Sequence, residues 1–116
     1  MDIVGRYEDV FCNAAIAKGS GGGSNDNELF EAMKDSYVRL RNHPSGKRSI
    51  ENLLCHESDW VRSWVASQLL SEDGHSRAKE TLQKLASETG VASFGAMMVL
   101  SEFEKGNLGS PFGIEP

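Results

Sequence analysis

Val61-Arg-Ser-Trp-Val-Ala-Ser-Gln-Leu-Leu-Ser-Glu72 decides the fold, because thirty residues later the chain repeats it as Val91-Ala-Ser-Phe-Gly-Ala-Met-Met-Val-Leu-Ser-Glu102. Aligned without a gap, six of twelve positions are identical: Val61/Val91, Ser63/Ser93, Ala66/Ala96, Leu70/Leu100, Ser71/Ser101 and Glu72/Glu102. Trp64/Phe94 and Leu69/Val99 keep their class. Both stretches space their apolar residues as one helix face does. Upstream, Cys55 falls opposite Leu85 in the preceding helical stretch, so the unit is a helix pair rather than a helix. A pair that cannot bury its apolar face alone must stack on a neighbour, which makes the expected fold an all-α, right-handed solenoid.

Working outward, the remaining helices complete three antiparallel pairs. Ile3, Val4, Tyr7, Val10, Phe11, Ala14 and Ala15 predict a first helix over about residues 2–17. Lys18-Gly-Ser-Gly-Gly-Gly-Ser-Asn25 cannot continue it, since each glycine costs about 1 kcal/mol relative to alanine in a helix. Residues 18–25 are therefore expected to be a flexible Gly/Ser loop, as much like an inserted linker as a native connection. Asn25 or Asp26 can cap a second helix over about 27–42, carrying Leu29, Phe30, Met33, Tyr37 and Leu40 and ending at His43-Pro44-Ser45-Gly46. A short third helix holds Ile50, Leu53 and Leu54, and Ser58 or Asp59 caps the fourth, which Gly74 stops. Ala78, Leu82, Leu85 and Ala86 mark the fifth; Val91, Phe94, Met97, Met98 and Phe103 mark the sixth, which Gly106 stops. Residues 107–116 read as an irregular tail, and the 116 residues as a single domain.

Composition narrows the function. Twelve Lys plus Arg against 17 Asp plus Glu give a net charge of −5, the wrong sign for a general nucleic-acid binder and the right one for a basic partner. Two cysteines in helical stretches, no basic and apolar leader at the N-terminus and no long apolar run lead to the expectation of a cytoplasmic protein with no membrane association.

Leu53-Leu-Cys-His-Glu-Ser-Asp-Trp-Val-Arg62 resembles the HEAT-repeat phrase in which leucines, a His-containing turn and an acidic residue precede Val-Arg at the start of the second helix. Together with Asn27, Met33 and Leu40 before it and Ser93-Phe94-Gly95-Ala96 and Glu104-Lys105-Gly106 after it, the phrase is similar to a small bacterial HEAT-like domain family of uncharacterised activity, over about residues 3–113. Short helical-repeat proteins of this kind are often encoded beside polymorphic toxins. The resemblance implies an immunity protein that binds and neutralises a cognate toxin domain, commonly a nuclease, as in contact-dependent growth inhibition. Gly95 and the glycine-rich first connection depart from ordinary HEAT repeats.

No catalytic, cofactor or metal set is expected. Cys55-His56-Glu57 puts a thiol beside an imidazole, but neighbours on a helix point about 100° apart, so Cys55 reads as core and His56 as turn. His43 and His75 stand without ligands at metal spacing. Gly19–Ser24 lacks the Gly-Lys-Ser/Thr end of a phosphate loop. Partner-binding candidates are the acidic stripe Glu28, Glu31 and Asp35 on the second helix, Glu72 and Asp73 at the end of the fourth, Asp59 at its start, and Trp60, which lacks a repeat equivalent and so reads as an exposed anchor. Glu102 and Glu104 add acid at the end of the sixth; Arg39, Arg41, Lys47 and Arg48 form a smaller basic group. The chain is then a non-enzymatic protein-binding module, monomeric when free or 1:1 with its partner. Two alternatives remain: an adaptor or self-associating module using Phe112 and Ile114, and a HEAT-like DNA glycosylase, whose basic, aromatic groove has the opposite charge balance.

Overall fold

The computed structural model describes residues 2–21 and 25–114. Six α-helices follow one another: α1 Ile3–Gly19, α2 Asp26–Asn42, α3 Gly46–Asn52, α4 Asp59–Asp73, α5 Ser76–Ser87 and α6 Ser93–Glu104, with a 3-10 turn at Leu53–Cys55. Among the described residues there is no strand. The chain forms two compact units, residues 1–61 and 62–116.

In the first unit α1 packs on α2, and α3 on α2's end. Phe11, Ala14 and Ala15 of α1 meet Met33, Tyr37 and Leu40 of α2 in a buried core closed by Ile50, Leu53 and Leu54. The rings of Phe11 and Tyr37 lie 6.3 Å apart at 45°. Asp2 starts α1 by accepting the Gly5 N–H at 2.7 Å. The helix then runs past its expected end. Ser20 bonds the Ile16 carbonyl through both backbone N–H and hydroxyl, and Lys18 pairs with Asp26. Lys18 and Gly19 are thus helical and not loop; residues 22–24 of the expected loop lie outside the described residues. Asn25, the position before α2, makes no side-chain capping bond. Ile3 and Val10, expected on the core face of α1, are exposed. Where α2 gives way to α3, Gly46 lies so close to the Leu40 carbonyl that a Cβ would overlap it.

The second unit is built from α4, α5, α6 and the tail. Val65, Ala66, Leu69 and Leu70 of α4, Ala78, Leu82 and Leu85 of α5, and Ala92 and Ala96 are its buried apolar residues, with Phe112. Gly74 takes φ +68° just after α4 and donates to the Leu70 carbonyl. After α6, Gly106 at φ +75° donates to Phe103 O and Asn107 to Glu102 O, a Schellman ending that only a left-handed residue closes cheaply. His75, expected to stand alone, starts α5 by accepting the Ala78 N–H on Nδ1.

The tail is not loose. Phe112 is 1% exposed and stacks on Trp64, centroids 5.5 Å apart and planes 13° apart. Its N–H donates to Oε1 of Gln68, a fully buried α4 side chain that also accepts from the Ser110 hydroxyl at 2.7 Å and donates to Glu72 at 2.9 Å. The Ser110 hydroxyl in turn accepts the Ile114 N–H. Phe112 is therefore internal packing and not the self-association contact that the sequence suggests.

The two halves of the repeat differ in their surroundings. Val61, Ala66, Leu69 and Leu70 are buried, whereas Val91 and Phe94 are each 72% exposed, Met97 53% and Met98 50%. The sixth-helix residues taken as core thus face outward, and of α6's twelve residues Ala96 alone is fully enclosed.

Candidate functional site

The acidic residues of α2 emerge together. Positions 28, 31 and 35 follow the i, i+3, i+7 spacing of one helix face, opposite the one that Met33, Tyr37 and Leu40 commit to the core, and all three carboxylates are exposed. Glu28 lies in the first turn, where the positive end of the helix dipole favours it. Asp35 is partly neutralised, since it accepts from Arg39 Nε at 2.9 Å one turn on. The Arg39 guanidinium also sits 5.8 Å from the Tyr7 ring centre, and the bonds to Asp35 and Tyr7 raise its pKa further. The basic group is thus not a separate patch; its first member is fastened to the acidic row.

Asp59 and Trp60 occupy the first turn of α4, where the Ser58 hydroxyl lies 3.5 Å from the Val61 N–H. Both are half-buried. The Trp60 indole covers Gly19 so closely that a Cβ there would overlap the ring. Its lack of a repeat equivalent has a structural cause: it holds down the end of α1 rather than standing as an exposed anchor.

In the second unit, Glu72 and Asp73 line an open hollow of about 230 Å³ with Leu70, Ser71, Gly74, Phe103, Gly106 and Leu108. The ends of α4 and α6 meet there, so the negative ends of the two helix dipoles add to the charge of the carboxylates. Glu72 is held by Gln68, and Lys79 Nζ lies 5.6 Å from the Phe103 ring centre.

The cysteines and histidines have local explanations. Cys12 is half-buried, and burial, with Glu8 and Asp9 nearby, pushes its thiol up to about 11, which keeps it protonated and unreactive. Cys55, read from the sequence as core, is exposed because the 3-10 turn rotates it outward while Leu53 and Leu54 turn in. His56 and His43 each accept, on Nδ1, the N–H two residues on, from Ser58 and Ser45. Among the described residues no three His, Cys, Asp or Glu side chains gather as a metal site, and no helix is long and apolar enough to cross a membrane.

The surface that sequence reasoning missed is the stripe Val91, Phe94, Met97 and Met98. A signal was present in the thirteen uncharged residues from Thr89 to Ser101, which leave α6 no polar face to give to solvent over most of its length. No family model, curated protein or solved structure matches the chain.

Proposed function

We propose that this chain is a non-enzymatic protein-binding module, an immunity protein that occludes a basic toxin domain, built as a short HEAT-like solenoid. The observation that carries the reading is the row Glu28, Glu31 and Asp35, three exposed carboxylates on one face of α2 that no core contact requires. Such a row speeds encounter with a cationic surface and repels anionic competitors such as nucleic acid. Glu72 and Asp73 supply a second acidic position on the other unit. The HEAT-like Val-Arg phrase and the net charge of −5 support the same reading.

The test is a pull-down from the native host at low and high salt, with bound proteins identified by mass spectrometry. One basic protein, held more weakly at high salt, is the expected catch. Joint reversal of Glu31 and Asp35 to lysine should weaken that complex at least tenfold; unchanged affinity would remove α2 from the interface. A second reading, a self-associating adaptor, is favoured by a different observation, the exposed apolar stripe of α6.

A further inference from the structure

We infer that α6 is the contact by which two copies of this chain associate, pairing antiparallel about a two-fold axis through the stripe Val91, Phe94, Met97 and Met98. This inference stands on a different surface from the acidic row and does not depend on the inhibitor reading.

Area supports it first. At 72, 72, 53 and 50% exposure, these four side chains, Val91 in the turn before α6 and the others on it, leave about 450 Å² of largely apolar surface to water, the size of the largest apolar patch on a monomer, which is often a functional one. Two copies would cover about 900 Å² between them, below the roughly 1,200 Å² at which stable specific interfaces begin and in the range of weak ones. That predicts a reversible dimer rather than an obligate one.

Charge chooses a second copy over a foreign partner. From Thr89 to Ser101 there is no ionisable side chain, so the stripe itself offers an acidic or basic partner nothing to recognise, the two carboxylates of α6, Glu102 and Glu104, lying beyond its Met98 end. Stripe against stripe, no like charge is met. In an antiparallel pair the two helix dipoles oppose, and the Val91 end of one stripe meets the Met98 end of the other, as an isologous contact requires. The methionines adapt to an imperfect fit.

The repeat adds a third argument. α4 carries the same phrase, and there this chain covers the positions equivalent to Val91 and Phe94: Val61 is 0% exposed, and Trp64 lies under Phe112. The pattern is therefore one that surfaces of this same sequence cover. A dimer stands against the expectation, drawn from the sequence, that the free chain is monomeric.

Sedimentation velocity on the intact chain, from micromolar to millimolar concentration, tests it. The expected mass rises from the 12.7 kDa of one chain toward twice that value, and high salt maintains or tightens association, opposite in sign to the toxin complex. Phe94→Glu and Met98→Glu, both at exposed positions, should each weaken association at least tenfold while leaving circular dichroism and thermal unfolding unchanged. Val10→Glu, an exposed apolar residue of α1, serves as control and should not weaken it. A single-chain mass at every concentration overturns the inference, as does association that survives both α6 substitutions. Capture of a helical partner by the stripe of a chain that stays monomeric also overturns it. The Glu31/Asp35 reversal should weaken toxin binding and leave the dimer intact, so either reading can fail alone.

Discussion

Phe112→Ala measures whether the tail belongs to the folded second unit. The ring is 1% exposed, and an aromatic side chain of its size buries roughly 200 Å², which at about 25 cal/mol per Å² amounts to about 5 kcal/mol as an upper bound. Truncation also removes the stack on Trp64, worth about 1 kcal/mol. The surface position of a tail lets neighbours and water fill part of the space, which lowers the expected loss to about 3 kcal/mol, within the usual range for buried phenylalanine. The loss does not stop at packing. Once residues 110–114 lift away, Gln68 Oε1 gives up two donors, the Ser110 hydroxyl and the Phe112 N–H, and α4 holds an amide whose acceptor must find water. Urea unfolding of the intact chain, followed by far-ultraviolet circular dichroism and by tryptophan emission, reads both effects. The midpoint should fall by an amount equivalent to about 3 kcal/mol, and the emission of Trp64 should shift to the red in the native baseline because its covering ring is gone. A loss below about 1 kcal/mol with unchanged native emission would refute the packing of the tail on α4.

Other consequences follow from single atoms. Gly46→Ala places a Cβ on the Leu40 carbonyl, backbone against backbone, and should cost about 2–4 kcal/mol in thermal or urea unfolding, far more than alanine's better helix propensity returns. Ser49 buries a hydroxyl without a hydrogen-bond partner, so Ser49→Ala should raise stability by about 1 kcal/mol in the same assay. The Cys12 thiol is held protonated up to about pH 11 in the fold against 9.0 for an ordinary thiol, so the unfolded chain ionises first. Stability should therefore fall as pH rises from about 9 toward 11, and Cys12→Ala should flatten that part of the profile. A thiol reagent at pH 8 should modify exposed Cys55 quickly and leave Cys12 until the chain unfolds.

Much of the architecture was legible because local chemistry settles it. Helical spacing located all six helices, and the stops at Gly74 and Gly106 are glycines at positive φ, where a side chain would be strained. Less legible were features that depend on what lies across the chain. α1 outruns its expected end because Lys18 finds Asp26 and Gly19 finds the Trp60 indole, neither of them a sequence neighbour. The tail contains two prolines and two glycines between Asn107 and Pro116 and reads as irregular, yet the buried Gln68 organises it from forty residues away. Of the candidate site, the α2 row was visible because a helix displays positions 28, 31 and 35 together whatever surrounds it. Trp60 and Cys55 were misplaced because burial is a property of neighbours, and periodicity names a face without saying what lies against it.

The repeat makes that last point quantitatively. Val61 and Val91 occupy the same place in the same phrase, and one is 0% exposed while the other is 72% exposed. The stretches differ where Val65, Ser67 and Gln68 are answered by Gly95, Met97 and Met98, but Val61/Val91 and Trp64/Phe94 agree in class. Burying a valine is worth about 2 kcal/mol and a phenylalanine more, so leaving Val91 and Phe94 in water forgoes several kcal/mol of the kind of stabilisation that Val61 and Trp64 supply. A chain of ordinary, marginal stability that retains such a stripe has a use for it that a polar α6 would not serve. The internal repeat thus locates function by contrast: residues that agree with their counterparts in both sequence and burial hold the fold, and those that agree in sequence but differ in burial mark where another surface is to be met.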